Sequence, residues 1–489
     1  MPVRILTTLL ILIASVIASA QQGTTLSWSD STRDVYIDGS LDREAQVLVC
    51  DGPRRMALIS PRLDLAIIIN QDDQTIHTTI KELFRFSPDH TTATSDSSAP
   101  MQQVGNYNAV DATTFLFAVD GRPVMFRSHA GVKGEMSEQK LWETVPVWRY
   151  SMESYKPDAA AVAAIKSADR EAKVTVVLGT WCPDSKNYVP KLMKSLRAAG
   201  NEKIKVQVLG VDNQFHNPME TIQKLRVVNV PTLIVERDGR EIGRIVETPA
   251  TATFEEDLAA ILTGKPLVHN GRWDRGPRIA KGEYLYKDRS GKERGRERWE
   301  LYKADETGYL AHSLITAGDV TTEVWHRVNA SLRPTFVEVT RQRGDSLSRT
   351  RYRLNERLLT ARFRSNYAGV IDQNLDVPDR LGFQSPAVAA AGFEFRKASN
   401  EKQTQMTVYE SPFEMERTVG RLTMVSFEEK GEEAINVAAG RFRSRKVIRR
   451  QGEEASTLWL HFDLGFPVRG QIGDAEFTLT SLEVSNGGK

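Results

Sequence analysis

In the stretch GTWCPDSKNYVP, Gly179 to Pro190, Cys182 follows the apolar run KVTVVLG (Lys173 to Gly179) and precedes a helical pattern, with Ser185 three places on. A sulfur at such a junction can do nucleophilic chemistry. The reactive form of a cysteine is the thiolate, and the first turn of a helix presents unpaired amides and partial positive charge that favour an anion. That field is worth about 0.3–1 kcal/mol, ~2 when partly buried, which would bring a thiol from its usual ~8.5 to between about 7 and 8. Asp184 opposes the effect if its carboxylate turns inward. A moderately reactive thiol is therefore expected at Cys182. Ser185 sets a limit on it, because a hydroxyl cannot displace a sulfur; a mixed disulfide formed by Cys182 must be opened by another thiol. Ser185 can still donate a hydrogen bond to the thiolate.

The elements around this motif change period in a regular order. Pro157-Asp158 reads as a helix start, with Ala161, Val162, Ile165 and Ala168 at helical spacing after it. The strand Lys173 to Gly179 comes next, then a helix from about Pro183 to Ala199, a strand IKVQVLGVD (Ile204 to Asp212) and a helix METIQKLRV (Met219 to Val227). PTLIVERDGREIGRIVE (Pro231 to Glu247) reads as a hairpin turning at Asp238-Gly239, and ATFEEDLAAIL (Ala252 to Leu262) as a closing helix. Strands mixed with helical crossovers imply an α/β sandwich on a mixed sheet.

With those elements in view, the middle of the chain resembles the thioredoxin-like superfamily. The matching features are Trp181 before Cys182, the helix opening at the cysteine, Lys186, Pro190 inside the helix, and NVPTLIV (Asn229 to Val235). WCPDSK with GRIVETP (Gly243 to Pro249) is similar, more narrowly, to bacterial thioredoxin-family proteins with a Trp-Cys-x-Asp-Ser motif. The resemblance spans roughly residues 155 to 264. It implies a cis Val230-Pro231 bond facing Cys182, with Trp181, Pro183, Val230 and Pro231 supporting an extended disulfide substrate and Cys182 and Ser185 at the reacting end. A cis peptide is nearly confined to proline and exposes the preceding backbone for pairing. Two departures from the family pattern go together. Ser185 replaces the second cysteine, and Val176 stands where the family buries a carboxylate that serves it; without a resolving thiol that base has no proton to take, and a lone buried carboxylate costs stability.

The flanks read as antiparallel sheet. QVLVC (Gln46 to Cys50), MALIS (Met56 to Ser60) and LAIII (Leu65 to Ile69) are short branched runs, TFLFAVDGRPVMF (Thr114 to Phe126) is a hairpin signal, and TTATSDSSAP (Thr91 to Pro100) reads as a mobile loop. After the linker-like TGKPLVHNGRWDRGP (Thr263 to Pro277), runs such as RERWELYKA, TTEVWHRV and STLWLHFDL alternate apolar with polar. This region weakly resembles bacterial envelope half-barrel domains related to lipoprotein and lipid carriers, through Gly282 to Leu301, Ala438 to Arg450 and Leu458 to Gly470, which implies a hydrophobic ligand on its concave face as one reading and a purely structural sheet as the other. In RFRSRKVIRR (Arg441 to Arg450) alternation puts most arginines on a solvated face.

The whole chain bounds these readings. At 489 residues it is too long for one core. The expected organisation is a signal peptide at 1–20, a β-rich domain at 21–150, a thioredoxin-like α/β domain at 151–266 and an antiparallel β-rich, half-barrel-like domain at 267–489. Arg4, the apolar run Ile5 to Ile17 and Ala18-Ser19-Ala20 carry the leader assignment, so the mature chain is expected in the periplasm or secreted, with no membrane span after cleavage. The net charge of +2 gives no reason to expect nucleic acid as a partner. The eight histidines, His77, His90, His129, His216, His269, His312, His326 and His461, show no paired metal spacing, so neither a metal nor a cofactor is expected. Cys50 ends an apolar strand and reads first as a packed thiol, with a role as a second, resolving thiol for Cys182 as the alternative. The expected activity is monothiol disulfide exchange or isomerisation on envelope proteins, with protein thiols and disulfides as partners and an external thiol for resolution. The competing expectation is a non-catalytic envelope protein that binds a client or lipid through its flanking sheets, its thioredoxin-like domain being a redox-inactive scaffold.

Overall fold

The structure, a computed structural model, describes residues 25–111, 113–215, 219–265, 267, 276–304, 308–402, 404–472 and 475–485. The leader at 1–20, His216, His269 and most of the expected linker lie outside the described residues. The chain is multidomain and mostly β, with antiparallel sheets before and after a central α/β region in chain order. It divides into two compact units, one taking residues up to 129 and 145–154, the other 130–144 and 155 onward.

The first unit faces an eight-stranded sheet against a five-stranded one. Alternation decides what lies between them. Along Gln46–Cys50, Val47 joins the core with Val35, Ile67, Phe117 and Phe126, while Leu48 and Cys50 turn to the other side and pack with Trp28, Ile68 and Phe84. The hairpin Phe115–Val119 and Arg122–Ser128 turns at Asp120 and Gly121, both left-handed at φ 52° and 76°. The polar stretch expected as a loop departs from expectation: Thr92–Asp96 is a strand paired with Thr25–Ser31. Its apolar content is small, yet Ala93 and Ser95 alternate inward and Ser95 Oγ accepts a 2.9 Å hydrogen bond from buried Trp28 Nε1. Ladder bonds and that buried acceptor hold a strand that composition alone would leave loose.

In the second unit, the central five-stranded sheet runs in the order 134–136, 204–210, 172–178, 232–237, 240–246. Ala172–Leu178 is parallel to Ile204–Gly210 and antiparallel to Thr232–Arg237, so the sheet is mixed. Gly134–Met136 adds an antiparallel edge strand from before residue 151. The helices start where the caps put them. Asp158 accepts from the Ala161 amide at 2.7 Å, and Thr253 with Glu256 forms a reciprocal capping box before Phe254–Thr263. Among the described residues no helix is long and apolar enough to cross a membrane.

The rest of this unit is a fifteen-stranded sheet, antiparallel save for one parallel pair, Leu381–Gln384 with Gln405–Glu410. It coils back on itself: Tyr352, near one end of the strand order, has its ring 4.8 Å from Phe383 and 5.6 Å from Tyr409 at the other end. Its inner face is filled from within. The segment Val388–Asn400 carries buried Val388, Phe393, Phe395 and Ala398 into a core with Trp299, Leu458 and Phe466. Buried Glu297 anchors that plug, accepting from the Val388 and Ala389 amides at 2.9 and 3.2 Å, from Ser313 Oγ at 2.7 Å and from the Tyr286 hydroxyl. The hydrophobic ligand expected here is therefore not supported, because the chain's own side chains occupy the place where it would sit. In the basic run, Arg443 pairs outward with Glu432 at 2.5 Å, whereas Arg449 turns inward, 3.4 Å from buried Glu394.

Candidate functional site

The carboxyl end of the central strand Ala172–Leu178 delivers the chain to Cys182, which caps the helix Pro183–Ala199 with Pro183 at its first position. Pro183 is exposed, Ser185 is wholly buried, and Pro190 lies buried inside the helix. Trp181 is fixed from three sides. Its Nε1 donates to the Val211 carbonyl at 3.0 Å, its ring meets Phe215 edge-on at 6.2 Å, and the indole lies between two glycines. A Cβ on Gly131 or Gly179 would come within 2.6 Å of that ring, so glycine at each is a packing requirement.

The Val230-Pro231 bond is cis, and Cys182 Sγ donates to the Val230 carbonyl at 3.2 Å. Residues 48 positions apart thus meet as the motif pair implied. Pro231 is buried and its carbonyl accepts from the Glu247 amide at 2.8 Å. Val176 lies fully buried in the central strand, so no carboxylate stands at that position to serve as base.

The electrostatics overturn the expected activation. Cys182 is only 6% exposed, and its thiol is pushed up to about 11. Burial is the largest cause, the Asp184 carboxylate adds to it, and hydrogen bonds from Ser185 only partly offset both. A helix terminus worth about 1 kcal/mol loses to the desolvation of an anion in a packed site. Ser185 Oγ also accepts from the Gly179 amide at 3.2 Å, which fixes the hydroxyl while leaving its O–H able to donate. In this conformation the sulfur is a neutral, hydrogen-bonded thiol. Cys50 is likewise a free, buried thiol in the core of the other unit, so no disulfide joins the two.

Several residues at the site were not singled out from the sequence. Glu247, left-handed at φ 63°, accepts from Asn229 Nδ2 at 3.0 Å and from Arg351 Nη2 at 2.7 Å. Arg349 Nη1 donates to Asn229 Oδ1 at 3.2 Å, next to the cis bond. Both arginines also hold Glu338 at 2.9 Å. Burial works against the Arg351 charge, but the two carboxylates outweigh it and keep that guanidinium protonated well beyond the ordinary arginine range. The available signal was Arg349 and Arg351 at i, i+2 on an alternating run, which puts both on one sheet face.

This geometry, a mixed sheet with a capped cysteine opposite a cis-proline, agrees with the comparisons. A thioredoxin family model matches residues 136–257. The thioredoxin of Echinococcus granulosus is 34% identical over 94 residues, covering 17% of this chain and 82% of that protein. A thioredoxin of Mycobacterium tuberculosis (strain ATCC 25618 / H37Rv) is 29% identical over 105 residues, covering 22% of this chain and 85% of that protein. A solved protein of unknown function from Pseudomonas aeruginosa aligns with 27% of this chain and 84% of its own at 19% identity and a TM-score of 0.20. Through this domain the chain belongs to the thioredoxin family. The domain supports a redox or thiol–disulfide role, with protein thiols as the class of substrate.

Proposed function

We propose that the protein is an exported, single-cysteine thiol–disulfide exchange protein acting on envelope proteins, in the periplasm or secreted. The observation that carries the reading is the 3.2 Å contact between Cys182 Sγ and the carbonyl before cis-Pro231, since backbone pairing at that turn would lay a substrate disulfide across the sulfur. In the reaction Cys182 gives its proton to solvent and its thiolate attacks one sulfur of a protein disulfide. A mixed disulfide forms, and the second substrate sulfur leaves as a thiolate. Ser185 cannot open that bond, so either the substrate's own thiol attacks its bonded sulfur, completing an isomerisation and releasing Cys182, or two small external thiols complete a reduction: the first attacks Cys182 Sγ and releases the reduced substrate, and the second frees Cys182 as a thiol and leaves as a small-molecule disulfide. Arg4, the apolar run Ile5 to Ile17 and Ala18-Ser19-Ala20 support export.

A second reading, a non-catalytic binding or assembly protein with a redox-inactive thioredoxin scaffold, is favoured by the burial and neutrality of Cys182. Covalent trapping separates the two. The full chain and its Cys182→Ala variant are incubated with a disulfide-bonded envelope protein, quenched with acid and compared on non-reducing gels. Adducts that form with the parent and vanish with the variant support exchange; equal adducts, or none with either, leave the scaffold.

A further inference from the structure

The carboxyl ends of the parallel strands in an open α/β sheet ordinarily face a crevice that ligands fill. Here Ala172–Leu178 leads to Cys182 and Ile204–Gly210 leads to Val211 and Phe215 at that edge, yet the place is taken. Val370 of the fifteen-stranded sheet packs against the cluster that contains Cys182, Val211, Phe215 and Val230. Asn366, wholly buried, donates to the Gln223 carbonyl at 3.2 Å. Beside them, Arg349 and Arg351 clasp Glu247 and Asn229 flanking the cis-proline.

We infer that the C-terminal sheet is a built-in cover for the thiol site, held by the Arg349, Arg351, Glu247 and Glu338 cluster and released by separating it, so that Cys182 meets reagents only when the sheet lifts. The latch is chemically suited to release. Its four side chains expose between 5% and 19% of their surface, so the Coulomb attraction is set against the desolvation of two cations and two anions. Balanced costs of that kind fix register more than they bind. The seam is also incompletely filled: a cavity of about 370 Å³ borders it, lined by Thr248, Pro249, His312, Glu338 and Arg349, and gives water a route to the charges as they part. The cover concerns access to the sulfur and stands whether or not Cys182 carries out exchange.

The test is alkylation of the intact chain with N-ethylmaleimide, followed by peptide mapping of Cys182 and Cys50. Cys50 lies in the core of the other unit and reports unfolding there, while the urea midpoint of each variant, followed by tryptophan fluorescence, reports unfolding of the unit that holds Cys182, and the labelling ratio is read only under conditions where that unit is folded. Arg351→Met and Glu247→Gln strip one charge from opposite sides of the seam, and Asn366→Ala removes three neutral hydrogen bonds, of which the one to the Gln223 carbonyl crosses the seam. The expected result is slow labelling of both cysteines in the parent and a rise of about tenfold or more in the ratio of Cys182 to Cys50 rates in the charge variants, with a smaller rise for Asn366→Ala. Labelling of Cys182 in the parent at the rate of an exposed thiol, or an unchanged ratio in all three variants, overturns the inference.

Discussion

The reactivity of Cys182 against pH is the sharpest consequence of its surroundings. With the thiol held up to about 11, the ionised fraction at pH 8 is about one in a thousand, whereas an ordinary thiol near ~8.5 is roughly one quarter ionised. Ionisation alone therefore makes Cys182 about 200-fold slower than an unburied cysteine at that pH. Because the fraction stays far from saturation, the rate with iodoacetamide is expected to climb about tenfold per pH unit from 7 to 10 without levelling. The assay is timed alkylation of the folded full chain, quenched and read by mass spectrometry on the Cys182 peptide, with a free cysteine peptide in the same tube as reference. A plateau at or below pH 8.5 would refute the reasoning, since it would show the helix terminus overcoming burial.

Ser185→Cys places a second thiol at the fourth motif position, and mixed disulfides formed by that variant are expected to resolve without added thiol, lowering the trapped adduct on non-reducing gels by about tenfold or more. His326, 1% exposed and edge-on to Phe383 and Phe393, has its pKa depressed to about 3 by burial, so it is neutral when folded and takes up a proton on unfolding at mildly acid pH. Its contribution is present in full above its ordinary ~6.5 and is lost as pH falls toward about 3, amounting to about 2 kcal/mol at pH 5; urea midpoints of the parent should fall over that window while those of His326→Leu stay flatter. Glu297→Gln puts a donor among the Val388 and Ala389 amides and the Tyr286 and Ser313 hydroxyls, with an expected loss of about 2–4 kcal/mol in urea unfolding followed by tryptophan fluorescence.

Much of the central domain was legible because its signals are local. Asp158 and Thr253 announce helix starts, Asp238-Gly239 announces a hairpin, and the Trp-Cys and Val-Pro pairs mark the two sides of the site. The strand at Thr92–Asp96 was missed because its stability comes from pairing with residues some 65 positions earlier. The filled interior of the C-terminal sheet was missed for a related reason, since the apolar plug around Phe393 is identified only by what surrounds it.

The ordered residues of the motif thus announce by themselves a thioredoxin-family site with Cys182 at the helix start and Ser185 at the fourth position, because the helix cap, the proline opposite and the residue types are written into short stretches of chain. Whether that sulfur is charged or reachable was decided by tertiary structure. The thiol is held neutral first by its burial in the cluster with Val211, Phe215 and Val230 and then by the Asp184 carboxylate, and Val370, far along the chain, packs against that cluster only when the C-terminal sheet has folded.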